Sequence, residues 1–408
     1  MLSILLAVAC TVGTWASDVD ETTAIQRRID EASARGGGRV SLAAGVHCVK
    51  PLQLKSGVEL HLEKGARLLG SPSCDDYPDI PLRHAESTIC PRGRASALLW
   101  ADEAHDIALT GPGVLDGNGA AFLRPANEKE LAWGFKFVRR FGIKGSPPRM
   151  CLFAGCRNVR VEGVEVTGLP GGWAFWVHDC DEVLFVGVKI SADVNCANND
   201  GIHVNSSRDV TIRGCDITTG DDAIIVRANN RSLRENKVCE RVAVSNCTLR
   251  SWSCGIRLGW TRDGTIRNCT FENLVMTDTT FGVGITLPPK AFIPSDYGRE
   301  ATRIENIRFR NIEMNGIYAH PLYCRMWENP RTECSAVRDI LFENCRGYGL
   351  EPIYMKGLAE TPFDRFTFRN CNWRLVGDDV LPGSDHHGAA VKERFHGGTC
   401  THAHVRRE

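Results

Sequence analysis

Asn195 to Arg227 reads N-C-A-N-N-D-G-I-H-V-N-S-S-R-D-V-T-I-R-G-C-D-I-T-T-G-D-D-A-I-I-V-R. It holds two acidic clusters, Asp200 in Asn-Asn-Asp-Gly-Ile and the pair Asp221–Asp222 in Gly-Asp-Asp-Ala-Ile. A short run of alternating apolar residues, Val210 to Ile212, lies between them. A repeat of about 21 residues matches one coil of a parallel β-solenoid, whose equivalent residues stack about 4.8 Å apart. We therefore expect Asp200 and Asp222 on adjacent rungs, with Asp221 beside them.

The same short strand recurs through the second half of the chain. Asp, Asn or Arg usually precedes each copy, and Gly or Asn follows it. No single strand of this kind can bury its own apolar face, so the coils must stack. The pattern predicts an all-β fold, a single-stranded right-handed parallel β-helix. The equivalent strands are Val159–Val161, Val183–Phe185, Val210–Ile212, Val242–Val244, Thr265–Ile266, Ile307–Phe309, Ile340–Phe342 and Phe366–Phe368.

The two ends of the chain differ from the repeat. Ile25 and Ile29 stand at helical spacing within Asp18–Ala34, and the glycines from residue 36 to 38 end that pattern, which predicts a capping helix over the open end of the solenoid. The apolar run Leu2–Trp15 is typical of a signal peptide cleaved after Ala16. The predicted domains are a signal peptide (1–16), the β-helix (17–376) and a polar, histidine-rich, loosely ordered C-terminal tail (377–408).

Composition limits the classes of function. The chain has 408 residues, 43% of them hydrophobic, which suffices for one large elongated domain. It carries 49 basic and 49 acidic side chains, and this balance argues against a nucleic-acid partner, which needs a basic surface. Apart from the N-terminal run, no segment is apolar enough to cross a membrane. We expect a monomer that is secreted or periplasmic, with no membrane partner.

The eighteen cysteines of an exported chain would ordinarily suggest disulfides. Five of them share one local pattern, in which Gly or Asn precedes the cysteine. We therefore expect these five to form an inward-facing column of buried, mostly reduced thiols. They are Cys215, Cys247, Cys269, Cys345 and Cys371.

The three clustered carboxylates indicate a chemistry. At close range in a partly desolvated cleft they cannot all ionise freely, so the pKa of at least one should rise. A protonated acid beside ionised carboxylates is what glycoside hydrolysis requires. The alternative is that Asn-Asp-Gly and Gly-Asp-Asp are only turn sequences. Two such clusters one coil apart favour the catalytic interpretation.

The two motifs resemble the Asn-Thr-Asp and Gly-Asp-Asp motifs of the polygalacturonase family, glycoside hydrolase family 28. The resemblance runs from about Glu21 to about Gly357. It implies a pectin-lyase-like solenoid in which Asp221 is the general acid, while Asp200 and Asp222 hold the attacking water. It also implies inversion by single displacement, with no metal and no cofactor.

Two family motifs are absent. Cys254, in Ser-Cys-Gly-Ile-Arg-Leu-Gly, stands where the family has the histidine of Gly-His-Gly. One coil later, Gly282–Thr286 replaces Arg-Ile-Lys, whose cations grip the substrate carboxylate in polygalacturonases. Arg257 and His203, aligned in one column of strands, are candidate replacement cations, because arginine suits bidentate carboxylate binding. With Asn199 and Cys254, they complete the expected substrate-binding set.

The sequence thus predicts an exported glycoside hydrolase with a β-helical catalytic domain, acting on a pectic or related acidic polysaccharide. A rhamnogalacturonan-type substrate fits the lost motifs. A polysaccharide lyase on the same fold and a non-catalytic glycan-binding β-helix are the alternatives. Residues 124–149, rich in Lys, Arg and aromatic residues, form either one wall of a cleft or a solvated loop. Pro288–Arg303 is a candidate for the opposite wall.

Overall fold

The computed structural model describes residues 20–83, 95–128, 141–288, 300–327, 334–376, 391–395, 399–401 and 403–408. The predicted signal peptide lies outside the described residues. One helix, α1 (Thr22–Ala34), precedes a long series of strands, and two short 3-10 helices (Cys74–Asp76 and Gly119–Phe122) lie in connections. No helix in these ranges is long and apolar enough to span a membrane.

The strands follow one another with short connections. In chain order they are β1 (Gly38–Leu42), β2 (Gly45–Val49), β3 (Leu52–Gln53), β4 (Val58–Leu62), β5 (Ala66–Gly70), β6 (Ala97–Asp102), β7 (His105–Thr110), β8 (Val114–Asp116), β9 (Leu123–Pro125), β10 (Phe141–Ile143), β11 (Arg149–Ala154), β12 (Arg157–Glu162), β13 (Glu165–Thr167), β14 (Phe175–His178), β15 (Asp181–Val186), β16 (Lys189–Ser191), β17 (Ile202–Asn205), β18 (Arg208–Arg213), β19 (Asp216–Thr219), β20 (Ile224–Arg227), β21 (Cys239–Ser245), β22 (Thr248–Ser251), β23 (Cys254–Leu258), β24 (Asp263–Thr279), β25 (Phe281–Leu287), β26 (Glu300–Ile317), β27 (Leu322–Met326), β28 (Cys334–Glu343), β29 (Arg346–Gly349), β30 (Tyr354–Lys356), β31 (Phe363–Arg369), β32 (Asn372–Val376), β33 (Val391–Phe395), β34 (Thr399–Thr401) and β35 (Ala403–Arg407).

These strands build the predicted right-handed parallel β-helix, which is confirmed. Eleven of them form one parallel sheet, which we call the site sheet, in the order β3-β6-β11-β14-β17-β20-β23-β25-β27-β30-β34. Almost all the others form a larger sheet in which β12, β15, β18 and β21 pair in succession, as do β13, β16, β19 and β22. A typical coil therefore contributes one strand to the site sheet and two to the larger sheet.

The interior of the solenoid is filled by columns of like residues, because the register repeats without a shift over most coils. Phe271, Phe309, Phe342 and Phe368 stack face to face, with ring centroids 4.9, 4.6 and 5.1 Å apart. Three of the four are fully buried and Phe368 nearly so. A fully buried side chain of this kind stabilises the fold by about 1.5–3 kcal/mol, and the alternating polar residues point outward.

A ladder of asparagines lines one corner of the coil. Asn311 Nδ2 donates to Asn273 Oδ1 at 2.9 Å, Asn344 Nδ2 to Asn311 Oδ1 at 3.1 Å, and Asn370 Nδ2 to Asn344 Oδ1 at 2.8 Å. All four have φ near +50°, and glycines occupy the same corner in the earlier coils. Gly and Asn tolerate this left-handed conformation better than other residues. The Gly or Asn that follows each repeated strand in the sequence therefore occupies this corner.

The cysteine column is partly as predicted. Cys215 and Cys247 are neighbours at the position after the asparagine corner, and so are Cys345 and Cys371, but Leu274 and Ile312 separate the two pairs. Cys269 is a correction: it pairs with Ile307 within a strand, because its asparagine belongs to the opposite corner. All five are free thiols, and four of them are buried.

A helix covers the N-terminal end of the solenoid, and further strands extend its C-terminal end. Helix α1 buries Ile25, Ile29 and Ala32 against the first coil, and the Asp20 carboxylate accepts the Thr22 N–H at 2.9 Å, so the predicted capping helix begins at Thr22. The expectation of a loosely ordered end is corrected for the described part of residues 377–408. There β34 pairs with β30 and β35 pairs with β31, since their backbones continue the last coils.

Asn344→Ala tests the ladder. Alanine should destabilise the protein by about 1–2 kcal/mol, because it enters the left-handed region unfavourably and removes both amide contacts. Asn344→Gly keeps the backbone conformation and should cost less. Denaturant-induced unfolding measures both, and an alanine variant as stable as the parent would contradict the proposed role of the corner.

The reactivity of the buried cysteines tests whether they are reduced thiols. Burial raises the pKa of Cys269 to about 12, and an apolar environment excludes reagents. We expect Cys215, Cys247, Cys269 and Cys345 to react slowly with a thiol reagent in the native protein and fully after denaturation without reductant. Peptide mapping of the labelled cysteines distinguishes the four. Failure of these sites to label after denaturation would show that they are oxidised.

Candidate active site

The register of the site sheet brings the two acidic motifs together. Ile202 pairs with Ile224, which places Asp200 opposite Asp222 on the neighbouring rung, as the one-coil spacing predicts. The backbone confirms the pairing, since the Gly201 N–H donates to the Asp222 carbonyl at 2.9 Å. The next coil puts Cys254 in the same column, where its carbonyl accepts the Ala223 N–H at 2.9 Å.

The glycines of these motifs are required by backbone contacts. A Cβ at Gly201 would lie 2.2 Å from the Ala223 carbonyl oxygen, and one at Gly220 would lie 2.1 Å from that of Cys196. No L side chain fits at such distances. The turn interpretation of the motifs is therefore correct for the glycines, while the adjoining aspartates are held at the groove.

The Asp221 carboxylate is half-buried and fixed by main-chain donors. Its Oδ1 accepts the Asp222 N–H and its Oδ2 accepts the Asn198 N–H, both at 3.1 Å. The Asp221 carbonyl accepts the Ser251 hydroxyl at 2.7 Å from the following coil. Neighbouring coils thus set the orientation of this side chain before any substrate binds.

The Asp222 carboxylate forms an ion pair with Arg257. The Arg257 Nε donates to Asp222 Oδ2, and the Cys254 N–H donates to Oδ1 at 3.0 Å. Arg257 also donates to the Thr286 hydroxyl and, at 3.4 Å, to Ser253 Oγ. Burial lowers the pKa of Arg257, but the facing carboxylate outweighs this and the net shift is upward, so the guanidinium remains charged.

The alignment of Arg257 and His203 in one column is confirmed: His203 pairs with Ile225, Ile225 with Arg257, and Arg257 with Gly284. A Cβ at Gly284 would lie 2.6 Å from the Cys254 Sγ, so the cysteine and the glycine occupy mutually dependent positions. A residue larger than glycine at position 284 would therefore require the Cys254 side chain to move. The guanidinium of Arg257 reaches back to Asp222, which lies three residues before Ile225, the partner of Arg257 on the neighbouring rung.

Of the expected substrate contacts, Cys254 and Asn199 are turned toward the protein. The Cys254 thiol is buried among Phe281 and Ala319, and burial raises its pKa far above the usual range, so it stays protonated. Its contribution to the site is its backbone N–H. The fully buried Asn199 accepts the Gly171 N–H at 2.9 Å and fixes the turn before Asp200.

His203 is a neutral group in this environment. Its ring lies 4.1 Å from that of Trp173, centroid to centroid. Burial, and then the charges of Arg227 and Arg149, lower its pKa well below the usual value. It is therefore not a cation near neutral pH, in contrast to what the sequence suggested, and its Nδ1 accepts or donates no hydrogen bond within the described residues.

Sequence reasoning missed a second buried ion pair beside the site. Arg227 Nη2 donates to Asp263 Oδ1 at 2.7 Å, and Trp260 lies 5.6 Å from the Arg227 guanidinium and 5.7 Å from that of Arg257. Arg227 is the last residue of the Asn195–Arg227 stretch, and its position at the end of a strand was the one feature of the sequence that could have indicated this ion pair. Asp263, thirty-six residues later, has no motif to mark it.

The edge of the site is formed partly by the segment that interrupts the repeat. Strands β9 and β10 pair as an antiparallel hairpin, and Phe141 forms a bridge with Cys196 on the catalytic coil. The described ends of residues 124–149 thus stand beside the site, which favours the wall interpretation for them. Residues 129–140, and residues 289–299 of the opposite candidate wall, lie outside the described ranges.

Comparison with known proteins agrees with this architecture. The family model "Glycosyl hydrolases family 28" matches residues 92–379. An endo-polygalacturonase of Pectobacterium carotovorum is 26% identical, over 76% of this chain and 72% of its own. A protein named "Probable endo-xylogalacturonan hydrolase A" from Neosartorya fischeri is 25% identical over 76% and 68%.

Among solved structures, the exopolygalacturonase of Thermotoga maritima superimposes with a TM-score of 0.66 at 22% identity, covering 92% of this chain and 89% of that one. At that identity the likeness concerns the fold. The family model, by contrast, spans most of the chain. This chain therefore belongs to glycosyl hydrolase family 28 and is a glycoside hydrolase.

Proposed function

We propose that this protein hydrolyses glycosidic bonds of a galacturonic-acid-containing pectic polysaccharide by single-displacement inversion. The observation that carries the proposal is the register of the site sheet, with Asp200 and Asp222 on adjacent rungs and Asp221 beside them. The relatives named endo-polygalacturonase and endo-xylogalacturonan hydrolase support a galacturonan backbone. The apolar run Leu2–Trp15 and the extracellular occurrence of pectic polymers support export.

The environments of the three carboxylates suit different roles. Asp222 forms an ion pair with the Arg257 guanidinium, and it serves with Asp200 to hold and deprotonate the attacking water. Asp221 is held by the main-chain N–H groups of Asn198 and Asp222 and stands half-exposed at the groove. It donates the proton to the departing glycosidic oxygen, and inversion needs no covalent intermediate.

The cations of the groove favour a substrate other than plain homogalacturonan. Arg257 is committed to Asp222 and His203 is neutral, so neither replaces the two cations lost with Arg-Ile-Lys. The half-exposed Arg325 lies further along the site sheet, and Tyr323 beside it presents an aromatic ring. A backbone that carries or alternates with neutral sugars, of the xylogalacturonan or rhamnogalacturonan type, suits this surface.

Asp221→Asn tests the acid assignment. Its rate on the polymer should fall by about a hundredfold to ten-thousandfold, the usual contribution of a positioned acid. An activated aryl glycoside of the same sugar needs less protonation, so the loss there should be smaller. Asp200→Asn and Asp222→Asn should lose rate on both substrates alike. Reducing-end release and aryl release measure the two reactions.

The matched control is Asp216→Asn, because Asp216 lies exposed on the larger sheet of the same coil. It should leave both rates unchanged. Full polymer hydrolysis by Asp221→Asn would contradict the acid assignment. Products that absorb in the ultraviolet through a new double bond would instead identify elimination, the lyase reaction.

Arg257→Gln tests whether this cation serves Asp222 or the substrate. Since Arg257 donates to Asp222, Thr286 and Ser253, which are all protein groups, we expect kcat to fall while KM changes little, and Arg257→Lys should restore part of kcat. Arg325→Gln is the control for a groove cation that contacts substrate, and should raise KM with kcat nearly unchanged. An increase in KM alone for Arg257→Gln would return it to the substrate-binding set.

A further inference from the structure

The outer face of the site sheet is covered on the rungs that precede Asp200. Leu152, Ala154, Trp173 and Trp176 form an apolar cluster with Ile80 that is separate from the interior core. Trp173 is 8% exposed and Trp176 only 1%, although both belong to outward-facing columns. Outward aromatic residues are buried only where another part of the chain lies over them.

Trp173 stands one rung before Asp200, because Phe175 pairs with Ile202. Its ring packs edge-on against Trp176 at 5.8 Å and lies against His203. The Arg149 guanidinium lies 4.6 Å from the Trp173 ring and 4.4 Å from the Trp176 ring, and Arg149 is 3% exposed. One rung is about 4.8 Å, so this packed cluster begins within one strand spacing of the Asp200 position.

The covering segment crosses the sheet from one edge to the other. At the edge where strands begin, the Ile80 N–H donates to the Ala95 carbonyl at 2.6 Å. At the edge where they end, the Arg83 N–H donates to Asp102 Oδ2 at 2.6 Å. Arg234, in the loop that follows β20, donates to the Arg83 carbonyl at 3.0 Å. Two segments distant in sequence thus meet over the rungs before Asp200.

The loop that carries Arg234 is itself anchored. Lys237 Nζ lies 2.6 Å from Asp179 Oδ1 and 3.0 Å from Asp181 Oδ2, and the Ser232 hydroxyl is 2.8 Å from His178 Nε2. Ser232 is buried, and Lys237 is largely so. These contacts hold the loop against the coils that precede Asp200. The cover is therefore a fixed part of the fold.

The rungs beyond Arg257 differ. His320, Tyr323 and Tyr354 are each half-exposed. The ring centroids of His320 and Tyr323 are 5.2 Å apart, and those of Tyr323 and Tyr354 are 5.3 Å apart. Arg325 and Lys356, one column over, are half-exposed too. Beyond β25, whose residues are all buried, the outward side chains of β27 and β30 are thus half-exposed, whereas those of the rungs before Asp200 are covered.

We infer that the enzyme acts on chain ends: the terminal sugar enters the space against Trp173, and the remainder of the polymer extends over Tyr323 and Tyr354. This inference rests on the proposed function and adds the mode of attack. A chain that continued past Asp200 in both directions would collide with the Trp173–Trp176–Ile80 cluster. Cleavage in the interior of a polymer is therefore excluded by the cover.

The test compares chain shortening with product size on whichever galacturonan-containing polymer the wild-type protein hydrolyses. We expect a single smallest product from the earliest time points, with little loss of viscosity while reducing ends accumulate. Early appearance of a ladder of intermediate oligosaccharides, with a rapid fall in viscosity, would overturn the inference but leave the proposed function intact. Absence of hydrolysis on every pectic polymer of a panel would overturn the proposed function, and the inference with it.

Variants of the covering residues test whether the cover determines the product pattern. Trp173→Ala should open the closed end and raise the share of longer products at least several-fold at equal conversion. Trp173→Phe keeps an aromatic ring there and should preserve the wild-type product pattern. Arg234→Ala, a milder change at the exposed rim, should shift products in the same direction to a smaller extent. A product pattern unchanged in both Trp173→Ala and Arg234→Ala, in variants that remain folded, would overturn the inference.

Discussion

The in-register pairing of parallel strands is the constraint on which the rest of the molecule depends. Because side chains alternate between faces, a slip of one residue would turn an entire interior column toward solvent. The stacked phenylalanines and the asparagine ladder both hold the register, one inside the solenoid and one at its corner. The column that fills the core with Ile202 and Ile224 also sets Asp200 against Asp222.

Stacking also links substitutions on neighbouring coils. The Cys254 thiol lies where a side chain at position 284 would begin, so the residues at these two positions depend on each other. The Cys254 backbone still serves Asp222, and the cation that faces this carboxylate comes from Arg257 on the same coil. The family's arrangement of motifs can therefore change while a cation stays beside the water-holding carboxylate.

Periodicity in the sequence is sufficient to predict which rung a residue occupies, and hence the β-helix, the adjacency of Asp200 to Asp222, and the alignment of His203 with Arg257. Periodicity does not show how deeply a residue is buried or which side chains it contacts. Cys269 was assigned to the wrong column because both corners of the coil accept asparagine before an apolar residue. The neutral state of His203 depends on burial, which the spacing of its own coil does not encode.

The same limit explains why the mode of attack could not be read from the motifs. The residues that cover the sheet, Ile80 and Arg83, lie more than a hundred positions before Asp200, in a connection without repeat character. Covering one end of the groove also removes water from the carboxylates, which makes an unpaired buried charge costly. Arg257 offsets that cost for Asp222. The covered end of the groove and the ion pair between Arg257 and Asp222 are thus two consequences of placing the carboxylates in a deep site rather than in an open groove.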